Sequence, residues 1–478
     1  MKSPLPDVEP SAALQAADRM LRAGRHADAA TALRRALDLA PADPLVTATV
    51  ARISGLARSL LTAGRAQDVT AVLAPLVGSA HANGSVLMLY GRALVALGRN
   101  GEAEPIFRRW AQLEPGNRDA ALTLAAVLAD SGRSPEAETL VRADIARSGA
   151  SPDAAFILGR SLLGQARFDE AEAEFRKVVH AKPDHQIAQA NLMELVWMRT
   201  ADVGEAGRAI DQAVREQPGL LALRIIKARL LVSARLPREA LAEIDAGLAV
   251  SKQAPALLTA AATIALDFDG TRALGYAKRL SGVSPHTRAA QIALGNASLA
   301  TGHVRDALEL AESLHRADPT DGRALAMKAD ALRMSDDPRC RELLDYKLVR
   351  AESIDIPEGW DRLDAYLAEL VDDLGRSHTL RAHPIGNSLR DGSQIELLPQ
   401  QSSFASIRAF PQAIDGPIRR YMAAIGRGSD PMRRRNAANY LISGMWSVRL
   451  RPAGFHVNHY HPRGWISSAC YLHLPPAI

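Results

Sequence analysis

The sequence is poor in cysteine and in aromatic residues. Only Cys340 and Cys470 occur in 478 residues. Two isolated thiols outside any C-x-x-C arrangement give no disulfide framework, which suits a reducing compartment. Phe, Trp and Tyr make up 4% of the chain. So few rings are available to interleave with the arginines that stacking on single-stranded nucleic acid is disfavoured. No run of about 18 apolar residues is present to cross a membrane. The opening MKSPLPDVEP lacks the apolar stretch of a secretory signal. Neither G-x-x-x-x-G-K-S/T nor G-x-G-x-x-G after a strand is found, and no Ser-His-Asp grouping can be read. The net charge of +5 is small for this length, and a pI near 9.3 is weak support for a nucleic-acid partner. These absences predict a soluble, cytoplasmic protein with neither nucleic acid nor a membrane as partner.

What is present is helical and repetitive. Hydrophobic residues form 47% of the chain, an ordinary share for a folded protein. The length suggests two or more domains, and abundant Ala, Leu and Arg favour helix. Small residues recur as Ala29, Val69, Ala103, Ala137, Ala171, Ala206, Ala240, Ala273 and Ala307, at steps of 40, 34, 34, 34, 35, 34, 33 and 34. Four residues after each lies an apolar position: Leu33, Leu73, Phe107, Val141, Phe175, Ile210, Ile244, Ala277 and Ala311. Twelve residues after each come Pro41, His81, Pro115, Gly149, Pro183, Pro218, Lys252, Pro285 and Pro319. Gly24, Gly64, Gly98 and Gly132 precede the small residue by five. The small residue permits close approach of two helices, the residue four later shares its face, and proline ends the second helix. Repeat two carries about six extra residues, placed in a lengthened first helix within Val46–Leu61.

This pattern resembles the tetratricopeptide repeat, a helix–turn–helix of 34 residues. It predicts a 1–9 tail and a solenoid over 10–345, with about nine repeats and a partial tenth near Gly322–Asp345. The resemblance implies a right-handed α-helical solenoid whose groove takes a protein or peptide partner. The alternative is that the repeats only stack and space other parts. Arg92, Arg160 and Lys227 fall on first helices, where they either line the groove or cover a solvated face.

Composition shifts after Asp345. Twelve of 21 aromatic residues lie in the last 133 positions. Glu358–Leu374 reads as a helix with Leu363, Tyr366, Leu367, Leu370 and Leu374 on one face, and Ile414–Ile425 as another. Arg376–Gln401 between them is polar and turn-rich. From Arg376 to Arg435 ten arginines face four acids, which reads either as a solvated or inter-domain face or as capture of an acidic substrate. Trp446–Arg451 alternates apolar and polar residues as a strand, Pro452-Ala-Gly454 reads as a turn, Phe455–His461 as a second strand, Pro462-Arg-Gly464 as a turn, and Trp465–Leu474 as a third. On the second of these strands His459 and His461 share a face, as a metal site needs, and His456 faces away.

The C-terminal residues resemble the 2-oxoglutarate/Fe(II)-dependent oxygenase domains that follow tetratricopeptide repeats in bacterial proteins. The matching blocks are Pro357-Glu-Gly-Trp360, His383-Pro-Ile-Gly-Asn-Ser-Leu-Arg-Asp-Gly-Ser-Gln394, Trp446-Ser-Val-Arg-Leu450 and Gly454-Phe-His-Val-Asn-His-Tyr-His-Pro-Arg-Gly-Trp-Ile-Ser-Ser468, continued by Tyr471 and Pro475. The resemblance implies a mostly β C-terminal domain over 346–478, of the double-stranded β-helix or jelly-roll kind. It also implies Fe(II) as cofactor, 2-oxoglutarate as cosubstrate, and oxidative decarboxylation coupled to substrate hydroxylation. His459-Tyr-His461 stands where the family has His-x-Asp or His-x-Glu. The pair His459 and His461 is therefore the candidate metal site, with a histidine in place of the usual carboxylate. The distal histidine and cosubstrate arginine of wider oxygenase families are expected later than Ile478, so the domain is read as incomplete, by truncation or degeneration. His473 is a candidate for contact with a ligand; Arg449 and Tyr471 are weaker candidates for holding an anion. The sequence thus leaves three readings open: an oxygenase that recruits through its solenoid, a non-enzymatic adaptor, and a two-histidine site for another metal such as zinc.

Overall fold

The computed structural model describes residues 10–39, 44–79, 82–462 and 464–474. Pro41, His81, Arg463 and Pro475, together with the 1–9 tail, lie outside the described residues. The chain divides into two compact units, Met1–Lys182 and Pro183–Ile478.

In the first unit, helices pair in order from Pro10–Arg22 with His26–Leu39 through to Pro152–Leu163 with Phe168–Ala181. The repeat positions explain the pairing. Ala103, Ala137 and Ala171 are fully buried, and Phe107, Val141 and Phe175 lie one helical turn on, no more than 1% exposed. Side chains four residues apart stack on one helix face, so each pair presents a seam to the preceding helix. That seam is tight: a Cβ added at Gly91 would sit 2.5 Å from the Phe107 ring, and one at Gly159 2.8 Å from the Phe175 ring. First helices are capped by Asn83, Asn117 and Ser151, whose side chains accept from Val86 N, Ala120 N and Ala154 N. The turn within each repeat passes through a left-handed residue, with Gly24, Gly64, Gly98 and Gly132 at φ +72°, +74°, +72° and +76°. There Arg99 N–H and Arg133 N–H reach back to Leu94 O at 2.9 Å and Leu128 O at 2.8 Å, closing the helix end. The first helix of the second repeat, Pro44–Thr62, has 19 residues against 13 in Pro10–Arg22. The extra residues of that repeat thus lie in the helix in which the sequence placed them.

The second unit continues the same scheme from Gln186–Thr200 to Val304–Ala317. A last first-type helix, Gly322–Met334, is then followed only by the four-residue Cys340–Leu343. Ala206, Ala240, Ala273 and Ala307 are at most 3% exposed. The left-handed position recurs at Ala201, Arg235 and Gly302, so at 201 and 235 a side chain accepts a conformation that favours glycine.

The C-terminal region of this unit departs from the expected strand order. Helices Leu363–Ser377 and Ala405–Ile425 pack through Tyr366, Leu370, Leu374, Ile407 and Ala413. Tyr366 Oη–H donates to Ser406 O at 3.1 Å, and Ser406 Oγ–H to Asp373 at 2.5 Å, so the polar groups of this small core are paired. Among the described residues the sheet has two strands, β1 (Leu389–Glu396) and β2 (Trp446–His456), antiparallel with Glu396 opposite Trp446 and Leu389 opposite His456. β1 arises in the stretch read as polar and turn-rich. Pro452-Ala-Gly454 does not turn the chain: Arg451–Gly454 bulges out of β2 opposite Asp391, and the strand resumes at Phe455. Asp391 and Ala453 take positive φ at this bulge, and Gly454 passes so close that an added Cβ would lie 2.2 Å from Asp391 O. The second and third strands read at Phe455–His461 and Trp465–Leu474 are corrected accordingly. The ladder stops at His456, and the described residues beyond it are irregular. Alternation was a sound guide only where a partner strand existed, because pairing, not pattern, makes a strand.

Candidate functional site

His459 and His461 leave β2 on an irregular segment, so the same-face rule of a strand does not place them. The geometry nonetheless brings them together. Their ring centroids are 5.1 Å apart and nearly perpendicular, with His456 5.7 Å from His459 and Trp446 5.6 Å from His461. His459 Nδ1 lies 3.0 Å from Val457 O. A carbonyl only accepts, so Nδ1 carries the proton and Nε2 keeps its lone pair for a Lewis acid. His459 is exposed and His461 half-buried. His456, read as facing away, holds Ser388 Oγ at 2.9 Å with its Nδ1.

The donor chemistry suits a first-row metal, but the donor number does not complete a site. Among the described residues no group of three His, Cys, Asp or Glu side chains is arranged to hold a metal ion. A two-histidine, one-carboxylate iron centre needs three protein ligands on one face, and the described residues bring together two imidazoles. His473 and Tyr471 are exposed, and Arg449 lies on the exposed side of β2.

The comparisons with known proteins fit this division of the chain. Residues 11–150 match one tetratricopeptide-repeat family model, and 122–186 and 157–220 match a second. The helical array is built of tetratricopeptide repeats. Residues 444–478 match the family described as "Putative 2OG-Fe(II) oxygenase". No curated protein matches the chain. Among solved structures, a tetratricopeptide repeat protein from Parabacteroides merdae is 15% identical over 53% of this chain and 98% of its own, with TM-score 0.39. PilF of Pseudomonas aeruginosa is 20% identical over 44% of this chain and 95% of its own, with TM-score 0.31. The Cut9–Hcn1 hetero-tetramer of the APC/C gives 13% over 71% of this chain and 76% of that one, also with TM-score 0.31.

Within the second unit, the tetratricopeptide repeats hold the C-terminal region directly. Helix Gln186–Thr200 and helix Leu221–Ser233, the first helices of repeats six and seven, contact the segment that leads into β1. Arg381 N–H and Ala382 N–H both reach Met198 O, at 2.7 and 2.9 Å. Trp197 Nε1–H donates to His383 O at 3.0 Å, and its indole meets the His383 ring edge-on at 5.9 Å. Ile385 N–H donates to Glu194 Oε1 and Gly386 N–H to Ser233 Oγ, both at 3.0 Å. Burial pushes the Glu194 carboxyl up, against the Ile385 N–H and the Arg229 charge. Arg235, in the left-handed position of its repeat, pairs with Asp391 at 3.1 Å and lies over the Phe455 ring at 5.6 Å.

The histidine motif is braced by the last repeats. An added Cβ at Gly322 would sit 2.7 Å from Pro462 O and 2.9 Å from its Cα, so only glycine admits this approach. Arg288 Nε donates to Asp321 at 2.6 Å beside it, and burial, eased by Arg323 and Arg288, raises the Tyr460 phenol. His378 joins the two strands, with Nδ1 2.7 Å from Ser393 Oγ and Nε2 2.9 Å from Ser447 Oγ.

The remaining sequence candidates resolve individually. Lys227 is bound to Asp211 at 2.9 Å and Glu243 at 2.8 Å on neighbouring second helices, which places its ammonium away from a groove role. Arg160 pairs with Asp130, while Arg92 is exposed. The arginines of 376–435 are largely spent within the chain. Arg376 pairs with Asp373, Arg419 with Asp415, Arg420 with Glu352 and Asp355, and Arg433 with Asp430. Trp197, Glu194, Ser233 and His378 carried no local signal. Arg235 did, since it stands five residues before Ala240, where the early repeats have glycine.

Proposed function

We propose that the chain is a tetratricopeptide-repeat protein of the 2-oxoglutarate/Fe(II) oxygenase type, in which His459 and His461 supply two metal ligands and the solenoid recruits a protein or peptide. The observation that carries this reading is the imidazole pair at 5.1 Å inside the 444–478 oxygenase match, with the His459 Nδ1 proton committed to Val457 O. An Nε2 lone pair beside a second imidazole is what a divalent metal recognises. The test is Fe(II)-dependent turnover of 2-oxoglutarate to succinate, with metal retention measured in the wild type and in His459→Ala combined with His461→Ala. Turnover and metal retention that depend on both histidines support the reading. Absence of turnover, together with unchanged metal retention in the double variant, refutes it. A second reading, a non-enzymatic adaptor whose C-terminal region serves in docking, is favoured by one observation: the repeat helices hold the segment before β1 through Trp197 on His383 O and Glu194 on Ile385 N–H.

A further inference from the structure

The contacts between repeats six and seven and the segment Arg381–Gly386 have the form of peptide recognition. In six residues, four main-chain N–H groups and one carbonyl are satisfied by the repeat helices: Arg381 and Ala382 by Met198 O, Ile385 by Glu194, Gly386 by Ser233, and the His383 carbonyl by Trp197. The segment turns at Ile385–Gly386, with Gly386 at φ +86° and Asn387 N–H on Pro384 O at 3.3 Å, so these main-chain hydrogen bonds hold a bent backbone shape, and side-chain pockets add selectivity. Here Ala382, His383 and Ile385 are 5%, 3% and 8% exposed, and the Trp197 indole stands against the His383 ring. Every repeat residue involved lies on a first helix, the row on which Arg92, Arg160 and Lys227 were read either as lining a groove or as covering a solvated face.

We propose that the first-helix face of repeats six and seven is a main-chain-reading peptide clamp, and that its ligand is this chain's own Arg381–Gly386. This part of the solenoid holds the C-terminal region in cis. Tethering gives the segment an effective concentration on the order of millimolar, so a free peptide at micromolar concentration does not displace it. The inference stands on the cis contacts alone and is independent of metal binding or turnover.

Two measurements on the full chain test it. In the first, amide hydrogen exchange is compared between the wild type and Trp197→Ala combined with Glu194→Leu. Exchange at Arg381, Ala382, Ile385 and Gly386 should quicken about tenfold or more, with the helix Asn100–Leu113 unchanged as a control for folding; unaltered exchange in the segment overturns the proposal. In the second, a fluorescent peptide of the 379–388 sequence is titrated by anisotropy. Ile385→Pro removes the N–H that Glu194 accepts and should vacate the clamp. The peptide should bind that variant at micromolar concentration, ignore the wild type, and lose binding when Trp197→Ala is added. Equal binding to the wild type and to Ile385→Pro, or no binding to Ile385→Pro, overturns it.

Discussion

Acidification should loosen the clamp through His383. That side chain is 3% exposed, and its Nε2 has no hydrogen-bond partner among the described residues. Burial first, then the Arg390 charge, lowers its imidazole from 6.5 to about 4, while Asp391 and the Ser233 main chain act the other way. A base whose docked value is depressed binds fewer protons docked than released. Its contribution is therefore complete above its ordinary value and declines as pH falls towards about 4. At pH 5.5 this linkage shifts the docked-to-released ratio by about tenfold, or ~1.4 kcal/mol. Glu194 has the opposite sign, because its raised carboxyl favours docking as protons are added. Carboxyl groups ordinarily titrate below imidazoles, so His383 dominates the upper part of the window, and Glu194→Gln should steepen the fall. The assay is exchange protection of the Ile385 and Gly386 amides, corrected for intrinsic rates, between pH 7.5 and 5.5 in the wild type and in His383→Phe. Phenylalanine keeps an aromatic edge against Trp197 but cannot titrate. Protection that is flat with pH in the wild type, or that falls equally in His383→Phe, refutes the argument.

Gly91→Ala should destabilise the first unit by about 1–3 kcal/mol, since the overlap with Phe107 outweighs the roughly 1 kcal/mol gained in helix propensity; a lowered thermal midpoint checks it. Arg235→Gly relaxes a left-handed residue, worth about 1 kcal/mol, yet removes the Asp391 pair and the Phe455 contact. The expected result is unchanged or higher helix stability with faster exchange in β1 and β2, read site by site. Gly322→Val should displace Pro462 and with it His461, seen as changed chemical shifts of the His459 and His461 rings without loss of helical circular dichroism. His378→Phe leaves Ser393 and Ser447 without their shared partner and should cost about 1–3 kcal/mol of sheet stability, measured by exchange along β1.

The repeats were legible because their physics is local. A close helix contact demands a small residue, one turn on demands an apolar one, and the buried series from Ala29 to Ala307 follows at nearly constant spacing. The C-terminal helices were legible for the same reason, although the first begins at Leu363 and the second extends back to Ala405. The sheet was not. β2 was found by its alternation, but β1 carries Arg390, Asp391, Ser393 and Gln394, and it becomes a strand only because β2 pairs with it. Pro452-Ala-Gly454 has the composition of a turn, and composition cannot tell a turn from a bulge when both need a residue at positive φ.

The candidate histidines were legible as a list of residues and not as an arrangement. His459 and His461 do lie near one another, but by a different route from the one that singled them out: an irregular segment held by Gly322 and Pro462, not an inward strand face. The docking contacts span 153 to 191 residues of sequence in the hydrogen bonds of Gly386 and Ile385, a separation over which no pattern of neighbours operates. One signal was visible: at the left-handed position where early repeats have glycine and Ala166 and Ala201 carry only a methyl group, Arg235 places a long charged side chain, which points to a contact made by that copy. In this chain that contact is Asp391 and Phe455, at the bulge joining β1 to β2. A departure from a repeat's consensus is thus more informative about docking than the consensus itself, because the consensus encodes only how each repeat meets the next.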